Sequence, residues 1–223
     1  MILALVALLA AAEPAAACPD VLTPEAFVCR AVEATGAGKH EDAARAFEQA
    51  ALATSDQDPA QARMWAAAGN MWIAASQPGK AALALDRALA GTGLQAEQRG
   101  EALLDRARAA EAQNDLKTAR AKVEEAKQTI AEDPFLWYFS AALAIREGHA
   151  PTATAEINRA LSLVPNDPTV LFEAGHVAHF AGNLAAARDY WTRAAAADPN
   201  GPSGKAAREA LAMLDAPPAA ATR

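Results

Sequence analysis

Large side chains are scarce in this chain. Aromatic residues occupy 5% of its 223 positions (4 Trp, 2 Tyr and 6 Phe), whereas 65 positions are alanine. Strands favour β-branched and aromatic residues, and alanine is the best helix former, so the composition excludes an all-β fold and points to helices. The 12 Gly and 13 Pro are too few for a collagen-like or low-complexity disordered chain. Basic charge is also short: 20 Lys+Arg against 27 Asp+Glu leave a formal net charge of -7. A nucleic-acid partner would want a basic face, and this balance argues against one. No Gly-rich phosphate loop, nucleophile elbow or HExxH occurs, so the sequence offers no catalytic residues and calls for no cofactor. The pair Glu124-Glu125, between Lys122 and Lys127, reads as the solvated face of a helix.

The one long apolar run is at the start. Met1 to Ala12 (MILALVALLAAA) carries no charge, but it is shorter than the roughly 20 residues that span a bilayer as a helix. Followed by small residues at Ala15-Ala16-Ala17, it fits the hydrophobic region of a signal peptide, although no Lys or Arg precedes it. Residues 1–17 are therefore expected to be a signal peptide and the mature chain periplasmic or secreted. The alternative is an apolar helix belonging to the mature fold. Only two cysteines are present, Cys18 and Cys29. In an oxidising compartment they would form a disulfide stapling segment 18–23, worth roughly 2–3 kcal/mol by loop closure. Two other readings stay open: free thiols, or a lipidated Cys18. Ala15-Ala16-Ala17-Cys18 resembles a lipobox, with Ala15 where a Leu-like residue is usual.

A repeat dominates the rest. The pattern small–x3–bulky–x2–Ala occurs as Ala43…Phe47…Ala50, Ala81…Leu85…Ala88, Ala119…Val123…Ala126, Ala153…Ile157…Ala160 and Ala187…Trp191…Ala194. The final alanines are spaced 38, 38, 34 and 34 apart. Each segment has an apolar partner upstream, clearest in Trp65-x2-Ala68-Gly69-x2-Trp72 and Leu171-x2-Ala174-Gly175-x2-Ala178. Gly38, Gly148 and Gly182 fall where paired helices would turn. Asp-Pro pairs beginning at Asp58, Asp133, Asp167 and Asp198 fall at unit boundaries, where Pro suits a first helical turn. Thr23 reads as the cap of the opening helix.

These residues resemble the tetratricopeptide repeat (TPR) family, whose pattern is W-x2-L-G-x2-Y, then A-x3-F, then P, with a period of 34. The resemblance covers residues 24–201, is degenerate in units one and three, and implies an all-α fold: a right-handed α-solenoid of about five helix pairs. The 38-residue spacings call for longer turns or extended helices around SDQDP and GTGLQAEQ. Residues 203–215 read as an amphipathic capping helix with Ser203 as candidate cap, which completes a repeat domain over 24–215. Residues 216–223 read as a disordered tail.

The resemblance puts the first helix of each pair on the concave face. Candidate binding residues there are Arg63 and Asn70 in unit two, Arg108 in unit three, Phe135, Tyr138 and Arg146 in unit four, and Phe172, His176 and His179 in unit five. Aromatic side chains and Arg are favoured anchors at interfaces; the competing reading is that the aromatics pack against the next repeat. Asn70 and Arg108 resemble two members of a carboxylate clamp, but Ala66 and Leu104 stand where basic residues would be wanted. His176 and His179 share a helix face, too few ligands for a structural zinc site, so no metal is expected. The sequence thus implies a non-enzymatic scaffold that binds protein or peptide in a bacterial periplasm. The alternative is a structural subunit of an envelope complex, tethered by a lipid on Cys18.

Overall fold

The computed structural model describes residues 17–216, so the expected signal peptide lies almost wholly outside the described residues, as does the tail beyond residue 216. Eleven helices and no strand occur among the described residues. They are α1 (Pro24–Gly36), α2 (His40–Ala53), α3 (Pro59–Ala74), α4 (Pro78–Ala90), α5 (Ala96–Ala112), α6 (Leu116–Ala126), α7 (Pro134–Arg146), α8 (Ala150–Leu163), α9 (Pro168–Phe180), α10 (Leu184–Ala197) and α11 (Pro202–Asp215). Each packs against the next in sequence, giving five antiparallel pairs and the expected terminal helix.

Local chemistry sets the boundaries. Thr23, Asp58, Asp133 and Asp167 each cap a helix through a side-chain oxygen, and each is followed by Pro in the first turn. Inside each pair one residue adopts positive φ: Gly38, Ser76, Asn114, Gly148 and Gly182. These positions keep the 38, 38, 34, 34 register of the sequence repeat. The longer spacings lie in the helices, since α3 and α5 run 16 and 17 residues where α1, α7 and α9 each run 13. At the last helix the expected cap is corrected. Gly201 occupies the cap position, and Ser203 lies inside α11. The Asp198 carboxylate accepts from Gly201 N at 2.9 Å and Gly204 N at 3.4 Å, so it satisfies amides at the start of α11.

The repeat alanines are the seam. Ala43, Ala50, Ala81, Ala88, Ala119, Ala126, Ala153, Ala160, Ala187 and Ala194 are all fully buried. Methyl-sized side chains let paired helices approach closely, and a few large groups fill what is left. Trp72 is 1% exposed and donates its indole N–H to Glu48 Oε1 at 2.9 Å, and Trp191 donates to the Phe172 carbonyl at 3.1 Å. Opposite two of the large fillers, Leu85 and Trp191, the partner backbone is glycine. A Cβ on Gly69 would sit 2.4 Å from Leu85 Cγ, and one on Gly175 2.2 Å from Trp191 Nε1.

First helices also touch first helices: α3 packs on α5, α7 on α9 and α9 on α11. Second helices make no comparable contact with one another, so they splay and the first helices form the inner, concave layer. On the outer side, Lys127 Nζ lies 3.0 Å from Glu124 and 2.7 Å from the buried Glu156, and 4.9 Å over the Trp137 ring. This cluster bridges α6 and α8.

Candidate functional site

Cys18 and Cys29 are joined, and Arg30 holds the same segment by donating to the carbonyls of Pro19 at 2.8 Å and Val21 at 3.0 Å. The N-terminal segment is thereby fixed to α1, whose far end borders a hollow.

That hollow lies on the inner layer between α1, α3 and α5 and has a volume of about 650 Å³. It is open because α1 and α3 do not pack closely on each other, and because α3 presents only Ala66 and Ala67 where larger side chains would fill the gap. Phe47, Met71, Leu94 and Ala102 complete an apolar lining. Val32 stands at the lip, 60% exposed. The size and the apolar lining suit a ligand-binding concavity, which typically spans roughly 300–1,000 Å³.

The polar groups around it are Arg63, Asn70, Gln98, Glu101 and Asp105, with Thr35 on α1. Asp105 is fully engaged: one carboxylate oxygen accepts from Asn70 Nδ2 at 2.8 Å and the other from Arg108 Nη1 at 2.8 Å. Arg63 donates to the Gly93 carbonyl at 3.4 Å. Among the described residues, Glu101 makes no side-chain hydrogen bond and no ion pair.

Beyond Arg108 the inner face turns aromatic. The Arg108 guanidinium lies 5.6 Å from the Phe135 ring centroid, and Phe135 meets Tyr138 at 5.3 Å. Burial raises the Tyr138 hydroxyl above the ordinary tyrosine range; the negative charge of Glu173 adds to the rise and Arg108 opposes it. Further along, Phe172 and His176 stack edge-on at 4.4 Å, and His176 and His179 lie 5.6 Å and 5.8 Å from Trp191. His176 Nδ1 is 3.5 Å from Glu173 Oε2.

The nine residues expected on this face therefore divide. Arg63 and Asn70 line the hollow. Arg108, Phe135 and Tyr138 continue the row from it, with Phe135 40% exposed. Phe172, His176 and His179 are gathered onto Trp191. Arg146, at the end of α7, reaches across to α5, donating to the Glu111 carbonyl at 3.1 Å and to Asn114 Oδ1 at 2.9 Å, and pairing with the Glu111 carboxylate. Among the described residues no group of three His, Cys, Asp or Glu side chains converges on a metal position, and no helix is long and apolar enough to cross a membrane. Sequence reasoning missed Val32, Met71 and Leu94, and read Phe47 only as the bulky residue of the first repeat, where it packs against the core as well as lining the hollow. Their common signal is only a large apolar residue near an inner helix: Val32 and Phe47 fall in the degenerate unit one and Leu94 just before α5, whereas Met71 lies beside Trp72 in the well-marked unit two.

No family model matches the sequence, and no curated protein matches it either. Solved structures match its fold closely. PilW, described as a widely conserved type IV pilus biogenesis factor, aligns over 82% of this chain and 81% of its own, with a TM-score of 0.69 and 19% identity. YrrB, described as a TPR protein with an unusual peptide-binding site, aligns over 84% of this chain and 91% of its own (TM-score 0.62, 16% identity). MamA aligns over 79% of this chain and 92% of its own (TM-score 0.63, 15% identity). The fold is thus the helix-pair solenoid of TPR proteins, as the repeat pattern implied.

Proposed function

We propose that this chain is a non-enzymatic scaffold, exported to a bacterial periplasm, that binds a protein or peptide on its inner face. The observation that carries the proposal is the apolar hollow between α1, α3 and α5. In a helical repeat every unit packs only on its neighbours, and here the packing leaves an apolar concavity unfilled on the inner layer. The peptide site of the similarly folded YrrB supports the same use. Export draws support from the Cys18–Cys29 disulfide, a bond that persists in oxidising compartments. The alternative, a lipid-tethered subunit, needs the Cys18 sulfur that the disulfide occupies.

The test is differential capture from an envelope fraction. Ala67→Trp fills the hollow, and Leu83→Trp places the same ring on exposed outer surface of α4. A partner retained by the wild type and by Leu83→Trp, and lost with Ala67→Trp, supports the proposal. Equal retention by all three removes the hollow as the binding site.

A further inference from the structure

We infer that the occupant of the hollow is an apolar peptide segment carrying a basic side chain, received by Glu101. This rests on the proposed peptide-binding role and specifies its chemistry. The lining gives the apolar half of the ligand: Val32, Phe47, Met71 and Leu94 leave their surfaces toward the opening. The charged groups give the other half. Of the three ionisable side chains there, Asp105 is neutralised by Arg108 and held by Asn70, at 2.8 Å each. Arg63 rests on the Gly93 carbonyl. Glu101, one turn before Asp105 on α5, is exposed and has no partner among the described residues. A carboxylate beside apolar surface is complemented by a cationic group on the ligand. The chain's net charge of -7 draws the same cation from a distance.

Three short leucine–alanine peptides, fluorescently labelled and identical except for a central Lys, Gln or Glu, separate the contributions when titrated against the whole chain by anisotropy. The Lys peptide is expected to bind about fivefold more tightly than the Gln peptide, and the Glu peptide most weakly. Raising the salt narrows these differences. Glu101→Gln, a substitution at an exposed and unpaired position, abolishes the Lys preference and leaves the affinity for the Gln peptide in place. Equal binding of the Lys and Gln peptides overturns the charge assignment while leaving the peptide site standing. Tighter binding of the Glu peptide also overturns it and transfers the recognition to Arg63. If none of the peptides binds the wild type, both this inference and the peptide-binding role fall.

Discussion

Replacing Gly175 with alanine adds one methyl group where α9 and α10 cross. The added carbon would sit 2.2 Å from Trp191 Nε1 and 2.3 Å from Cδ1, so the ring must move. That indole is 3% exposed, bonded to the Phe172 carbonyl and flanked by His176 and His179. Overpacking of this kind costs about 1–3 kcal/mol, and loss of the indole hydrogen bond about 1 kcal/mol more. Against this, alanine is favoured over glycine in a helix by about 1 kcal/mol. The net expectation is a destabilisation of about 1–3 kcal/mol. Gly79 in α4 is the control: a Cβ there meets only Gln113 Oε1, at 3.9 Å. Gly79→Ala gains the helix preference with no clash and should raise stability by up to about 1 kcal/mol. Urea titration followed by helical circular dichroism and by tryptophan fluorescence gives both values. If Gly175→Ala is as stable as the wild type, the claim that glycine is required by close approach at this seam fails.

Two further outcomes follow from the charged and titratable groups. Lys127→Ala strands the buried Glu156 carboxylate and should cost about 3 kcal/mol in the same titration; the double change Lys127→Ala/Glu156→Gln should recover much of it, and no recovery would dissociate the cost from the pair. Tyr138 has its hydroxyl raised in the folded state, so its contribution is present below the unfolded value of about 10 and is lost as pH climbs through the folded value. Wild-type stability should therefore fall more steeply than that of Tyr138→Phe above pH of about 10, and parallel alkaline denaturation curves would refute it.

The helical pairs were legible because their signals are local. An Asp-Pro start and a repeated alanine seam act within a few residues of the structure they specify. Ser76 and Asn114 show the limit: they take the same positive φ as Gly38, Gly148 and Gly182, and only the repeat register marks them. The candidate row was legible in part, since inner-helix spacing put Arg63, Asn70, Arg108 and Tyr138 on one face. The hollow was not. It depends on what α1 and α3 fail to do, and two alanines facing a gap read the same in sequence as two alanines facing a helix. The role of Asp198 at α11 was missed because its carboxylate reaches amides three and six residues ahead, past the serine that a local cap pattern favours.

The two long inner helices are also the two that, with α1, wall the hollow. Their excess over the others is three or four residues, close to the 3.6 of a single helical turn. A turn is the length change that returns every later side chain to its former direction, so the added segment leaves the phase of the seam untouched while moving its first residues outward by about 5 Å. Repeat length in this molecule can therefore vary in whole turns without disturbing the stacking that follows. The height of the wall around the hollow becomes a property adjustable unit by unit, independent of the packing that holds the units together.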